Sequence, residues 1–143
     1  RTPLALAVLG GHHDILELLL ERNADIEARD LSDMTPLNLA AKNGQAATVE
    51  YLLQKNAKAE ARDHLGQTPL LQAARRGYVD VTQVLLDWGV DIETKDYEGF
   101  TALIRAASGG HIDLAKILLQ KGCYVEARTV NGDTALICAV HSD

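Results

Sequence analysis

A six-residue pattern recurs five times along this chain of 143 residues, and each copy begins 33 residues after the previous one. The copies read TPLALA, TPLNLA, TPLLQA, TALIRA and TALICA, and they begin at Thr2, Thr35, Thr68, Thr101 and Thr134. A fixed period of roughly 20–50 residues is the signature of a repeat architecture, in which each unit stacks on its neighbours. The register predicts one domain over 1–143, with full units at 2–34, 35–67, 68–100 and 101–133 and a partial unit at 134–143.

Each unit is predicted to contain two helices. Its threonine supplies an N-cap oxygen, and the proline that follows in the first three units suits the first helical turn. A glycine nine residues after the threonine ends the first helix in four units, because glycine adopts the left-handed backbone conformation at little cost. The second helix is longer and amphipathic, and we expect its Leu-Leu pair, such as Leu52 and Leu53, to face inward.

The segments between units are also patterned, and they read ADIEARD, AKAEARD, VDIETKD and CYVEART. Their alternation predicts a short extended strand, and Asp63–Gly66 has the composition of a tight turn. The predicted fold class is therefore all-α, a solenoid of stacked helix-turn-helix units with short β-hairpin tips. In these segments a glutamate column lies two residues before a basic column, which predicts a surface ion-pair ladder. The columns are Glu27, Glu60, Glu93 and Glu126, and Arg29, Arg62, Lys95 and Arg128.

Composition narrows the classes of function. Hydrophobic residues make up 47% of the chain and aromatic residues only 4%, so the core must consist of Leu, Ala, Val and Ile. A net charge of -6 argues against a nucleic-acid partner, and no apolar run reaches the roughly 20 residues that a membrane span needs. Cys123 and Cys138 lack metal-binding spacing. We interpret them as small buried thiols in a reducing compartment, which predicts an intracellular location, cytoplasmic or nuclear.

Chemistry is not expected from this chain. The run from Gly10 to Asp14, which contains two histidines, could be read as a metal or acid-base cluster, but a similar run at 109–113 occupies the same place in the fourth unit. We interpret both runs as links between helices, since no further ligands recur at a helpful spacing. No serine, cysteine or threonine lies in a recognisable nucleophile motif. The sequence therefore predicts no catalysis, no cofactor and no metal.

These features resemble the ankyrin-repeat family over the whole chain. The family usually carries histidine at the fourth place of its Thr-Pro-Leu-His motif, and this chain departs from that pattern in every unit. The residues there are Ala5, Asn38, Leu71, Ile104 and Ile137, so we expect more apolar packing at those points. The end units are not polar as caps should be. We therefore expect the chain to be a fragment of a longer array or to associate end to end.

The resemblance implies that partners contact the hairpin tips and the inner face of the first helices. The predicted contact residues are Leu31, Met34, Lys42, His64, Leu65, Gln67, Arg75, Arg76, Tyr97, Glu98, Phe100, Ser108, Asn131 and Asp133. Aromatic residues, methionine and arginine are enriched in interface cores. The centre is expected around Arg75, Arg76, Tyr97 and Phe100. Trp88 is interpreted as a packing cover on the outer face.

The sequence thus predicts a non-catalytic module that binds a partner protein or peptide in a concave groove. The partner is expected to carry apolar anchors and some acidic residues. Two alternatives stay open. The chain could be a regulatory or substrate-targeting module of a larger enzyme, or an engineered binding scaffold.

Overall fold

The computed structural model describes residues 2–141, and within that range it contains nine helices and no strand. The first helices of the units are α1 (Pro3–Leu9), α3 (Pro36–Lys42), α5 (Pro69–Arg76), α7 (Ala102–Ser108) and α9 (Ala135–Val140). The second helices are α2 (His13–Glu21), α4 (Ala46–Gln54), α6 (Val79–Trp88) and α8 (Ile112–Gln120). Arg1, Ser142 and Asp143, at the ends of the predicted domain, lie outside the described residues.

The helix boundaries follow the predicted capping. The repeated threonine lies at the N-cap of every first helix, and its side-chain oxygen accepts the backbone N–H three residues later. The repeated glycine after each first helix has a positive φ, for example 72° at Gly44 and 73° at Gly77. The all-helical repeat architecture is therefore confirmed.

The first helices form the centre of the stack, since each inner one contacts the first helices on both sides and its own second helix. Alanines such as Ala40 and Ala73 are fully buried between neighbours, which permits close approach. Leu52 and Leu53 are also fully buried, as expected for the inward pair. In the fourth unit the expectation is wrong for one member, because Leu119 is 46% exposed at the edge of the stack.

Three of the four apolar residues at the family's histidine position pack as expected. The exception is Ile137 in the last unit, which is 37% exposed. Ala5, Leu71 and Ile104 are each at most 1% exposed. Asn38 keeps a polar role, since its Nδ2 donates to the carbonyl of Ala61 at 3.0 Å and its Oδ1 accepts the Thr35 backbone N–H. The side chain at this place therefore forms hydrogen bonds in one unit and is aliphatic in the other four.

The predicted hairpin strands are wrong for the described residues. The four tips are residues 30–34, 63–67, 96–100 and 129–133. Each is closed by two backbone hydrogen bonds, such as the 3.1 Å bond from the Asp63 N–H to the Gln67 carbonyl and the 2.9 Å bond from the Gly66 N–H to the Asp63 carbonyl. The segment before the third tip bends into a turn of its own. The Asp91 carboxylate accepts the Glu93 N–H, and the Asp91 carbonyl accepts the Thr94 N–H. An aspartate that bonds its own following backbone favours a turn over a strand, and the alternating pattern did not reveal it.

The predicted ion-pair ladder is also wrong, because within residues 2–141 the ion pairs include no member of either column. Both columns instead bond the backbone of the next unit. Glu60 accepts the Asp91 N–H at 2.8 Å, and Arg62 donates to the Lys95 carbonyl at 2.7 Å. The side chains therefore hold successive units together through peptide groups.

Candidate functional site

Each tip is organised by the side chain that begins it. In the second tip, residues 63–67, one carboxylate oxygen of Asp63 accepts the backbone N–H groups of Leu65 and Gln67, both at 2.9 Å. The other oxygen accepts Nε2 of Gln72 from α5 at 2.6 Å. Asp63 is only 3% exposed, so its charge is held inside the tip by neutral donors.

A groove of about 670 Å³ opens between the first two tips and the carboxyl-terminal ends of α3 and α5. It is lined by Ser32, Met34, Lys42, Asp63, His64, Leu65, Gln67, Gln72, Arg75, Arg76, Tyr78 and His111. We call this set the inner groove. The structure therefore brings together seven of the fourteen predicted contact residues, namely Met34, Lys42, His64, Leu65, Gln67, Arg75 and Arg76.

The inner groove is basic although the protein is acidic. Lys42, Arg75 and Arg76 contribute three cations, and Asp63 is the single carboxylate in the lining. Arg75 and Arg76 are exposed, and in the described part of the chain neither side chain makes an ion pair or a hydrogen bond. Because the Asp63 carboxylate is buried and already bonded, the arginines remain available to a partner.

Two predicted contact residues are less accessible than expected. Met34 is 6% exposed and Gln67 only 1%, so both side chains pack within the stack and offer little surface to a partner. The Met34 sulfur lies 4.0 Å from the Lys42 ammonium, and the Gln67 carbonyl accepts Nδ2 of Asn38 at 3.5 Å. Both residues form the floor of the groove. Residues at the last position of a tip face the first helix, which the repeat spacing alone did not show.

The other predicted residues lie outside the lining of the inner groove. They are Leu31 on the first tip and Tyr97, Glu98, Phe100, Ser108, Asn131 and Asp133 further along. Tyr97 extends the surface, because its ring is 68% exposed and lies against Gly66, where an added Cβ would come within 2.6 Å of it. Leu31 is 100% exposed.

Phe100 is engaged within the protein. The Arg105 guanidinium lies 3.9 Å from the centre of its ring, bonds the buried carboxylate of Asp96, and approaches Glu98 at 3.6 Å. The predicted centre that joined the arginines of α5 to Phe100 is therefore divided. Arg75 and Arg76 face the inner groove, whereas Phe100 belongs to a closed cluster on the third tip, residues 96–100.

Sequence reasoning missed Tyr78 and His111. Both precede a second helix, at the same place in the unit as His12 and Gln45. In two units the side chain at this place bonds the preceding unit, since Gln45 donates to the Val8 carbonyl at 2.7 Å and Nε2 of His111 lies 3.1 Å from the Arg75 carbonyl. His111 thus fixes the end of α5 beside the groove. The shared position was the signal that could have found it.

The surroundings of both cysteines raise the pKa of the thiol. Burial raises the pKa of the Cys123 thiol, and the nearby Glu93 carboxylate raises it further. Burial and the Asp133 carboxylate raise the pKa of the Cys138 thiol, while Arg105 acts in the opposite direction. A raised pKa keeps both groups protonated near neutral pH, which is unlike an activated nucleophile.

Over 2–141, no group of three or more His, Cys, Asp or Glu side chains is placed to hold a metal ion. In the same range, no helix is both long enough and apolar enough to cross a membrane.

Comparison with known families agrees with this architecture. The family model for ankyrin repeats, in three copies, matches residues 4–96 and 89–143. The chain belongs to the ankyrin-repeat family, whose members are generally protein-protein interaction modules and typically not catalytic. Among curated proteins, none matches the chain.

Proposed function

We propose that the inner groove binds an extended or helical segment of a partner protein. The observation that carries this proposal is the uncompensated positive charge of Lys42, Arg75 and Arg76 around a preformed concave surface. Unpaired arginines at the mouth of a groove are poised for bidentate hydrogen bonds to carboxylates. Their positions are fixed by the stack beneath them, so binding costs little reordering of the protein backbone.

The partner segment would combine acidic and apolar side chains. Acidic groups would face Arg75 and Arg76, and an apolar anchor would lie on Leu65, which is 46% exposed, with the Tyr97 ring beyond it. Electrostatic attraction of this kind speeds association and sets the register of the partner. The same cationic lining argues for a protein partner with acidic residues, since nucleic-acid binding would have to overcome the net charge of -6.

The proposal assigns the chain an adaptor or scaffold role inside the cell, without a cofactor. The reducing intracellular environment suits two thiols that form no disulfide in the structure. In the last unit, Leu136 is 76% and Val140 is 65% exposed. We propose that such end faces allow copies to associate end to end, and light scattering over a concentration series would test this. A constant monomer mass would exclude it.

The test of the groove is a comparison of two triple variants. Lys42→Ala, Arg75→Ala and Arg76→Ala together remove the groove cations. Arg22→Ala, Lys55→Ala and Lys121→Ala remove the same charge from exposed positions after the second helices. Each immobilised protein is used for capture from cell extract, and a captured partner is then titrated by calorimetry.

The groove variant should weaken binding of that partner by at least tenfold, and the matched variant by less than twofold. Circular dichroism verifies that both remain folded. Equal binding by the wild type and the groove variant would show that the partner site lies elsewhere.

A further inference from the structure

Trp88 occupies a place in the repeat where the other units carry a cation. The corresponding residues are Arg22, Lys55 and Lys121, which follow α2, α4 and α8 as C-caps. A cation there complements the negative end of the helix dipole, and an indole ring does not. Trp88 ends α6 and is 50% exposed, so half of a large aromatic surface remains in contact with solvent.

The indole ring lines a small pocket on the outer face of the stack, between α4 and α6. The pocket has a volume of about 210 Å³, and its other lining residues are Glu50, Val84 and Asp87. Small-molecule sites usually measure roughly 300–1,000 Å³, so this pocket suits a single side chain better than a free ligand. Its walls combine an aromatic ring, an aliphatic group and two carboxylates.

The neighbouring unit contains a cation beside an aromatic ring. The Lys55 ammonium lies 5.4 Å from the centre of the Tyr51 ring on the same outer layer of helices. Within residues 2–141, the recorded cation–aromatic contacts do not include Trp88. Cations are drawn to the faces of aromatic rings, and tryptophan is the strongest of them. The Trp88 ring can therefore receive a cation from outside the chain.

The carboxylates of the pocket differ in their availability. One oxygen of Asp87 already accepts Nε2 of Gln83 at 2.7 Å and the Lys121 ammonium at 3.2 Å. Glu50 is exposed, and in the described part of the chain its side chain has neither an ion pair nor a hydrogen bond. Glu50 is therefore the acceptor that a bound cation would use.

We propose that this outer pocket binds an arginine side chain of a partner protein. The guanidinium would lie on the Trp88 ring and donate to the Glu50 carboxylate, and the aliphatic stem would cover Val84. Arginine fits better than lysine because its planar group stacks on a ring while it presents several donors in a fork. The outer pocket and the inner groove thus take segments of opposite charge on opposite sides of the stack.

Trp88 is the single tryptophan of the chain, so its fluorescence reports this pocket directly. The probe is an acetylated and amidated Gly-Arg-Gly peptide, with the citrulline peptide as the neutral isostere and Gly-Lys-Gly as the rival cation. We expect a saturable change in emission with the arginine peptide and at least threefold weaker binding to both other peptides.

The Glu50→Gln variant should also weaken binding of the arginine peptide at least threefold. Glu17→Gln is the matched control, since Glu17 holds the same place in the first unit and loses the same charge. Amide chemical shifts measured by NMR should change mainly in α4 and α6. Equal responses to the arginine and citrulline peptides, unchanged binding by Glu50→Gln, or equal losses in the two variants would each overturn the proposal.

Discussion

The second and third tips share one backbone design, but the helix beneath supplies a different side-chain donor to each. Asp63 and Asp96 each accept two backbone N–H groups through one oxygen. The second oxygen accepts the neutral amide of Gln72 in the second tip and the guanidinium of Arg105 in the third. These two donors occupy the same place in successive units.

This difference determines which surface stays open. In the third tip, Arg105 is shared by Asp96, Glu98 and Phe100, so charge and aromatic surface are satisfied within the protein. In the second tip the carboxylate is satisfied by an amide, and the neighbouring Arg75 and Arg76 keep their charges available. One framework therefore gives a closed tip and an open one.

The largest expected effect on stability comes from removing the side-chain donor to each buried carboxylate, Asp96 or Asp63. Arg105→Ala would leave the Asp96 side chain, which is 1% exposed, without its cation. We expect a loss of about 3 kcal/mol in the free energy of unfolding, against about 1–2 kcal/mol for Gln72→Ala. Arg105→Gln copies the second tip and should recover at least half of the loss. Urea denaturation measures all three, and a smaller loss for Arg105→Ala than for Gln72→Ala would contradict the comparison.

Substitution of the turn glycines should also cost more stability in the third tip than in the second. A methyl group at Gly99 would come within 2.8 Å of the Val130 backbone nitrogen, whereas at Gly66 it would meet the Tyr97 ring. Both glycines have positive φ, so alanine costs about 1–2 kcal/mol at either site. The exposed Tyr97 ring can move, whereas a backbone cannot. We therefore expect Gly99→Ala to lower the free energy of unfolding by about 3 kcal/mol, and Gly66→Ala to lower it only by the cost of the positive φ. Thermal unfolding of the two variants, made singly, gives the comparison, and equal losses would refute it.

A smaller effect is expected at the joints between units. Arg62 donates to the carbonyls of Gly66 and Lys95 and to the Thr94 hydroxyl, whereas Lys95 donates to the Arg128 carbonyl at 3.2 Å. Arg62→Lys should lower the free energy of unfolding by about 1 kcal/mol, and Lys95→Arg should raise it by a few tenths. If the two changes have equal and opposite effects, the joints are equivalent.

The smallest expected effect is that of the Arg105 charge on the pKa of the Cys138 thiol. Arg105 lowers the pKa of Cys138 against the larger effects of burial and Asp133. Removing the cation in Arg105→Gln should raise this pKa and reduce the thiolate fraction. In a Cys123→Ser background, alkylation by iodoacetamide at pH 8 should slow on the order of twofold. Gln72→Ala, one unit away, serves as the control, and a faster reaction in Arg105→Gln would reverse the assigned sign.

The sequence by itself determined the helical framework. The 33-residue register placed every N-cap threonine and the four positive-φ glycines after the first helices correctly, because these are local backbone requirements that recur from unit to unit. It also indicated the basic character of the surface around Arg75 and Arg76. The extended strands were predicted wrongly because these segments form turns, which aspartate side chains support in the first and third units, and the alternating pattern does not distinguish such turns from strands.

Only the tertiary structure decided how side chains from different units meet. It buried Gln67 and Met34 as the floor of the groove, directed the Glu and Arg columns to peptide groups, and joined Arg105 to Asp96 and Phe100. These contacts join residues that are distant in sequence, and some of them differ from unit to unit, so the local pattern of one unit does not specify them. The physical reason is that each buried polar group takes whichever partner the stacked neighbours provide.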